Sequence, residues 1–370
     1  MYPPQSTTIE AGFAAGEPLD DRRPGPKASA LRGFHDAAPP AGSVRHVLRA
    51  IASDPGEALD RKRWLARVRP LVVRTQATLR ARFEADGSVA AFLRGRARLA
   101  DDGVIGLLHL ARAVVRSDDV VSAIAPVTVL AVGGYGRREL APASDLDLLF
   151  LPGNSAGRAH AERLIGFVLT GLWDLGFEVG HATRTAPECI ELAGVDHRVL
   201  ASLLDARFLA GAFGVHAMLE GNVRQAAKDV GAKAVAAALA PPALGIARAE
   251  GRRRGRAGRQ TRPWRASRYP APAMARQARL GRADSGARSE LAGPDATVPP
   301  VLADARRFLW KVRCHLHLLA ARAQDRLVRE LQPLVARRLG LGRGPDTGVA
   351  ELMDRHHAYT SSVRALLTAA

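Results

Sequence analysis

Two short apolar runs, 127–132 and 145–151, bracket a glycine-rich turn, and their spacing narrows the fold more than any other feature of this sequence. The first run, Val127-Thr128-Val129-Leu130-Ala131-Val132, follows Pro126 and reads as a strand ending at Gly133-Gly134. A Gly pair lets backbone approach an anion with no Cβ in the way. A short helix beginning near Tyr135 would aim its first N–H groups and its dipole at that anion. The chain then returns on a second strand, 145–151, which stops at Pro152-Gly153. Residues i and i+2 of a strand share a face, so Asp145 and Asp147 converge. Embedded among Leu and Phe, unpaired carboxylates are costly without a cation. Two hard oxygen donors beside an anion cradle suit Mg²⁺ and a phosphoryl or nucleotidyl transfer.

Competing phosphate motifs fail on spacing. A dinucleotide fingerprint needs a third Gly, but Gly134-x-Gly136 runs on to Glu139, and the acids come too early for a ribose contact. The sequence has no G-x-x-x-x-G-K-[ST] loop.

Around this segment the periodicity is mostly helical. Residues 1–45 are rich in Pro, Gly and Ala and read as a disordered lead-in, followed by helices over 46–120. Leu71, Thr75, Leu79 and Phe83 fall at steps of four, and Ile105, Leu108, Leu110 and Val114 mark a later helix. An α/β domain is expected over 121–238. In it, Leu164, Ile165, Val168, Leu169, Leu172 and Trp173 form one apolar stripe, with Gly176 at the C-terminal cap. Phe177-Glu178-Val179 restarts a strand, and 186–238 reads as helices. Residues 239–300 are Arg-rich and irregular; 301–370 is helical again, with Phe308, Leu309, Val312, Leu316 and Leu319 as its stripe.

Composition removes several function classes. The two cysteines, Cys189 and Cys314, cannot build a disulfide framework or a four-thiolate zinc site. The apolar stretch around 120–132 is interrupted by Ser122 and Pro126 and is too short to span a bilayer. With no leader-type segment at the start, a soluble, cytoplasmic protein is expected. The net charge of +18 is concentrated: 241–290 holds 13 Arg against 3 acidic residues. Aromatics are not interleaved regularly with that run, which holds just Trp264 and Tyr269, and no recognition motif accompanies it, so a nucleic-acid partner is not expected.

The segment from Gly133 to Phe150, Gly-Gly-Tyr-Gly-Arg-Arg-Glu-Leu-Ala-Pro-Ala-Ser-Asp-Leu-Asp-Leu-Leu-Phe, resembles the signature of the nucleotidyltransferase superfamily. Within it, the segment is similar to the family of uridylyltransferase/uridylyl-removing enzymes that modify the nitrogen-regulatory PII protein. Leu172-Trp173-Asp174-Leu175-Gly176-Phe177-Glu178-Val179-Gly180-His181, Ser202-Leu203-Leu204-Asp205-Ala206-Arg207 and Phe308-Leu309-Trp310-Lys311-Val312-Arg313-Cys314-His315-Leu316-His317 share that likeness, which covers 75–235 and 301–367. The resemblance implies a polymerase-beta-like α/β domain with a small mixed sheet and flanking helices. It also implies transfer of UMP from UTP to a tyrosine of PII, with pyrophosphate leaving. Asp145 and Asp147 would be the catalytic, Mg²⁺-binding pair, while Gly133, Gly134, Ser144 and Arg137 would contact the nucleotide. Glu178 and Asp205 are the candidates for a third carboxylate. His181 and Arg184 follow a strand and could face the site, with a satisfied structural histidine the reading adopted for His181; His315 and His317, on different faces of one helix, read as packing and capping residues.

The likeness lapses in two places. The family continues into a metal-dependent hydrolase domain and two ligand-sensing domains, so uridylyl removal and glutamine sensing are not expected of a chain ending at Ala370. The family's Gly-Gly-Leu-Arg-Asp stretch is also missing between the two matching blocks. Trp264-Arg265-Ala266-Ser267-Arg268-Tyr269, under one permitted codon choice and read one base later, yields those five residues. The reading adopted is therefore an out-of-frame translation over about 240–298, with an Arg-rich insertion as the alternative. A different nucleotidyltransferase, such as an adenylyltransferase of glutamine synthetase, and an impaired remnant acting as a binding module are the competing functional readings.

Overall fold

The computed structural model describes residues 41–54, 56–57, 60–118, 127–153, 158–230 and 300–369. By its contacts the chain divides into Met1–Ala38, outside the described residues, and Pro39–Ala370, to which all that follows refers.

Three helices precede the sheet: α1 (Val44–Ala52), α2 (Arg61–Asp86) and α3 (Val89–Asp118). The first starts inside the expected lead-in, because the Ser43 side chain accepts from the His46 N–H and caps it. In α2 the buried residues are Trp64, Val68, Val72 and Phe83. The expected stripe is thus displaced toward the N-terminus, and Thr75 is exposed. The helix serves two separate cores, Trp64 to Val72 in one and Phe83 in another, so one straight stripe could not describe it.

Strand β1 (Thr128–Ala131) leads into a single helical turn, α4 (Gly133–Gly136), and the chain returns as β2 (Leu146–Leu151). Helix α5 (Arg158–Asp174) crosses to β3 (Val179–Thr183), which pairs parallel with β2, whereas β1 and β2 are antiparallel. After α6 (Ala186–Val195) and α7 (His197–Leu204), strand β4 (Arg207–Ala210) pairs antiparallel with the other side of β1, and α8 (Phe213–Val230) follows. The sheet order is β3-β2-β1-β4. The expected small mixed sheet in an α/β fold is present.

Alternation makes the sheet a middle layer. Val129, Ala131, Leu146, Leu148 and Phe150 face the core built with α1, α3 and α5. Leu130, Val132, Leu149 and Leu151 face the opposite core, with Cys189, Leu200, Leu219 and Val223 from α6, α7 and α8. Helices thus cover both faces, leaving the strand ends at Gly133 and Asp147 as the place where polar groups gather.

Three sequence expectations are corrected here. Strand β4 lies where only helices were expected, since four residues reading Arg-Phe-Leu-Ala carry no alternation of their own. Trp173 leaves the buried stripe of α5 and is 54% exposed. Asp145 precedes β2 instead of lying within it, and is exposed. The readings of 1–45 and 239–300 fall almost wholly outside the described residues.

The chain resumes in α9 (Pro300–Ala320), α10 (Gln332–Arg338) and α11 (Pro345–Ala369). From Val312 to His317 every residue of α9 is buried, which a surface helix would not show. One side of α9 joins Phe83, Phe92 and Ala141 through Trp310 and Cys314; the other joins α10 and α11 through Val312 and Leu316. Among the described residues no helix is long and apolar enough to cross a membrane.

Two glycines separate space from dihedral angle. A Cβ on Gly136 would collide with the Asp205 carbonyl oxygen and lie 2.8 Å from that of Ala131, whereas Gly176 has φ +87° with nothing within 4 Å. Gly136→Ala is expected to cost about 3 kcal/mol or more through overpacking, and Gly176→Ala about 1–2 kcal/mol through the left-handed backbone alone. Urea unfolding of both variants checks the ranking.

Candidate functional site

The site grows from the junction of β1, α4 and β2. The Val132 N–H donates to the Asp147 carbonyl at 3.0 Å, which fixes the end of β1 against the start of β2. Gly133 then takes φ +59°, and a Cβ there would lie 3.2 Å from Asp147 Oδ2. On the other side, Gly180 of β3 is the Cα partner of Asp147, and a Cβ there would lie 3.0 Å from Oδ1. The Asp147 carboxylate therefore occupies a slot between two glycines. Asp145 stands two residues earlier, exposed, and close enough to be felt as a charge. Burial first, and Asp145 second, push the Asp147 carboxyl up to about 7, against the pull of Arg137.

This donor set fits a divalent cation. Two carboxylates, one of them desolvated and each repelling the other, are relieved when a cation binds both. Gly133, Gly134 and Ser144 border the same junction, with Gly133 and Gly134 at the start of α4 and Ser144 in the half-buried approach to Asp145.

Arg137, expected at the nucleotide, is placed otherwise. Its side chain is 4% exposed and lies between Glu139 and Asp205. Nε donates to Glu139 at 2.7 Å and an Nη to Asp205. Burial alone would lower its pKa, but Asp205 and Glu139 more than offset this and raise it. Burial likewise pushes the Glu139 carboxyl up, and Arg137 and Arg306 overcome this and hold it below the usual carboxylate range. Arg306 reaches Glu139 from α9.

The third-carboxylate candidates separate as well. Asp205 is wholly buried and bound to Arg137, so its carboxylate is held in the ion network. Glu178 is exposed just before β3, its carbonyl accepting from the Leu146 N–H at 2.8 Å. Among the described residues, no three His, Cys, Asp or Glu side chains converge to hold a metal ion. His181 lies within β3 and sets its ring edge-on to Phe150, and the Arg184 N–H continues the pairing to the Phe150 carbonyl.

Several residues around the 137–145 loop carried no signal of their own. Arg138 turns the chain at φ +60°, and the Glu139 N–H donates back to the Gly134 carbonyl at 2.8 Å. Arg96 of α3 donates to the Pro142 carbonyl at 2.7 Å. The Ala143 N–H donates to His317 Nδ1 at 3.2 Å, and His317 Nε2 faces Asp325 Oδ1 at 3.1 Å. His317 is thus more than a packing residue: it joins α9 to the approach to Asp145. Behind α4, Arg207 grips Asp101 with two bonds of 2.9 and 3.0 Å and also donates to the Gly136 carbonyl.

Residues 298–370 match the family model of the GlnD PII-uridylyltransferase. The chain is 36% identical over 258 residues to the bifunctional uridylyltransferase/uridylyl-removing enzyme of Phenylobacterium zucineum, covering 65% of this chain and 26% of that protein. It is 33% identical over 315 residues to the enzyme of that name from Rhodopseudomonas palustris, covering 78% and 32%. For Gluconobacter oxydans the figures are 33% over 373 residues, 93% and 36%. The likeness read from the sequence is borne out: the chain is a relative of these enzymes, and it spans roughly a quarter to a third of their length.

Two expectations follow from the geometry. Arg137→Ala leaves two buried carboxylates without their shared cation and is expected to lower stability by about 3–5 kcal/mol. Truncating the surface pair of Arg80 and Glu84 is expected to cost at most about 1 kcal/mol; urea unfolding compares the two. Asp147 has a raised folded-state pKa, so the folded chain holds its proton over a pH range in which the unfolded chain has lost it. In metal-free buffer this group's contribution to stability is therefore present at low pH and lost as pH rises from about 4 to about 7. Asp147→Asn is expected to flatten that part of the stability–pH profile, measured by thermal unfolding in a chelator.

Proposed function

We propose that this chain transfers UMP from UTP to a tyrosine hydroxyl of a PII-type signal protein, with pyrophosphate leaving. The observation that carries the reading is the Asp147 carboxylate held between Gly133 and Gly180 with Asp145 beside it, in a chain similar to proteins named uridylyltransferases. The stretch from β1 to α8 corresponds to a nucleotidyltransferase domain of the polymerase-beta type. The proposed setting is cytoplasmic, where triphosphate and acceptor meet.

Each group has a part in it. Asp145 and Asp147 would hold Mg²⁺, which supplies charge neutralisation on the phosphates and on the departing pyrophosphate. Gly133 and Gly134 would leave room for the triphosphate at the start of α4, and Ser144, next to Asp145, would contact it. Arg137 acts from behind: its charge reaches Asp147 while its donors stay on Glu139 and Asp205. Tyr135, buried, fills the space beneath the turn, where the Arg207 guanidinium lies over its ring at 5.4 Å.

The test is turnover of labelled UTP with purified PII acceptor and Mg²⁺. Asp145→Asn and Asp147→Asn are each expected to lower transfer by more than about a hundredfold, since even outer partners of metal ligands are worth about 10–100-fold. Both variants are expected to keep the circular dichroism of the parent. Label passing from ATP in preference to UTP would replace the uridylyl reading by an adenylyl one, and substantial activity in either variant would remove the metal assignment.

A further inference from the structure

The loop that delivers Asp145 to the site is held from outside its own domain. Between Glu139 and Leu146 its backbone is fixed at Pro142, whose carbonyl accepts from Arg96, and at Ala143, whose N–H donates to His317 Nδ1 at 3.2 Å. Ala143 and His317 lie 174 residues apart. Because Nδ1 accepts, the ring proton is on Nε2, which donates to Asp325 Oδ1 at 3.1 Å. Asp325 is fixed in turn by Arg313 Nε at 2.8 Å, and the Arg313 guanidinium lies over the Trp310 ring at 5.1 Å. His317 is itself 1% exposed. A chain of four side chains on and after α9 thus ends on one backbone N–H, two residues before Asp145.

We propose that His317, with its tautomer set by Asp325, is a positioning residue for the nucleotide–metal site: it fixes the Ala143 peptide and through it the placement of Ser144 and Asp145. The inference rests on the uridylyl-transfer reading for its catalytic consequence, but not for its structural one. A neutral imidazole with a carboxylate behind it is a directional acceptor, and its geometry is set by both partners. Close to Asp145 the other contacts of the loop are local or apolar: the Ser144 N–H turns back to the Ala141 carbonyl, and Ala141 lies in the apolar cluster of Trp310 and Cys314.

The experiment uses the full chain and two readouts: amide hydrogen exchange over 140–147 without nucleotide, and Mg²⁺ half-saturation of transfer. His317→Asn retains an acceptor near Nδ1 and loses the reach to Asp325, whereas His317→Gln extends to the Nε2 position and abandons Ala143. Leu316→Ala, on the side of α9 that faces α10 and α11, is the control for general loosening. Expected results for His317→Gln are exchange at 141–145 faster by about tenfold or more and Mg²⁺ half-saturation raised about tenfold, with a smaller change in KM for UTP. His317→Asn, which keeps an acceptor for Ala143 but loses Asp325, is expected to lie between the parent and His317→Gln in both, and Leu316→Ala to lower the melting temperature without speeding exchange at 141–145. Equal effects of the Asn and Gln variants, or loop exchange that follows melting temperature across all three, would overturn the proposal. If no variant and no parent chain transfers UMP, the function fails while exchange still decides the clamp; if transfer proceeds but exchange is unchanged in His317→Gln, the clamp fails alone.

Discussion

A guanidinium buried between two carboxylates is costly to desolvate, and in this chain it holds the site together. Arg137 lies on the residue after α4, Glu139 in the loop that follows, Asp205 at the C-terminal end of α7, and Arg306 on α9. One network therefore ties the glycine turn to the helices on one face of the sheet and to the helix that resumes after 299. Such a network adds little net stability over apolar packing of the same volume, because desolvation consumes most of the attraction. What it supplies is geometry. Each donor on Arg137 has a fixed direction, so the turn, the loop and α9 meet in one arrangement. Gly136 makes that approach possible, since any Cβ there would occupy the space of the Asp205 carbonyl.

The aspartate pair depends on this arrangement at one remove. Asp147 is held by the sheet through its own backbone and by glycine on both sides, so its position follows from β1, β2 and β3. Asp145 precedes the strand and has no ladder partner to place it. Its position is inherited from the loop, and the loop from Arg96, His317 and the ion network. The two carboxylates of one short motif are thus positioned by different physics: one by strand pairing, the other by side chains distant in sequence.

That division marks what the sequence made legible. Strands β1 and β2, the turn between them and the aspartate pair are local, with apolar runs ended by glycine, and local patterns record them. The long helices α2, α3 and α5 were legible for the same reason. Strand β4 was not, because four residues become a strand only by pairing with β1. Trp173 was assigned inward from its place in the stripe, yet α5 turns that edge to solvent. Arg137 looked available for a phosphate because only Glu139 of its two carboxylate partners is near in sequence; Asp205 is 68 residues away, and Arg306, which completes the network at Glu139, is further still. His315 and His317 sit two residues apart on α9, and nothing in their spacing separates a ring stacked on Phe83 from one that captures a loop amide.

The two stretches of family likeness, 75–235 and 301–367, meet physically at the 137–145 loop. Ala141 joins Trp310 and Cys314 in one apolar cluster, Glu139 meets Arg306, and Ala143 meets His317. All three contacts run between described residues on either side of 231–299. The docking of α9 is therefore written in the sequence of α9 and of the loop, and it closes a large separation in the chain through a few directional bonds and one small core. Closing a long loop costs only slightly more entropy than closing a medium one. The length of the intervening stretch accordingly weighs little against α9, and what decides whether α9 stays seated is the quality of contacts at its end. The buried Arg306–Glu139 pair and the His317–Ala143 bond are the directional ones, and both act on the segment that carries Asp145. The loop before Asp145 is thus completed by a distant helix: bonds to α9 fix the backbone that leads into Asp145, whereas Asp147 is fixed by its own strand.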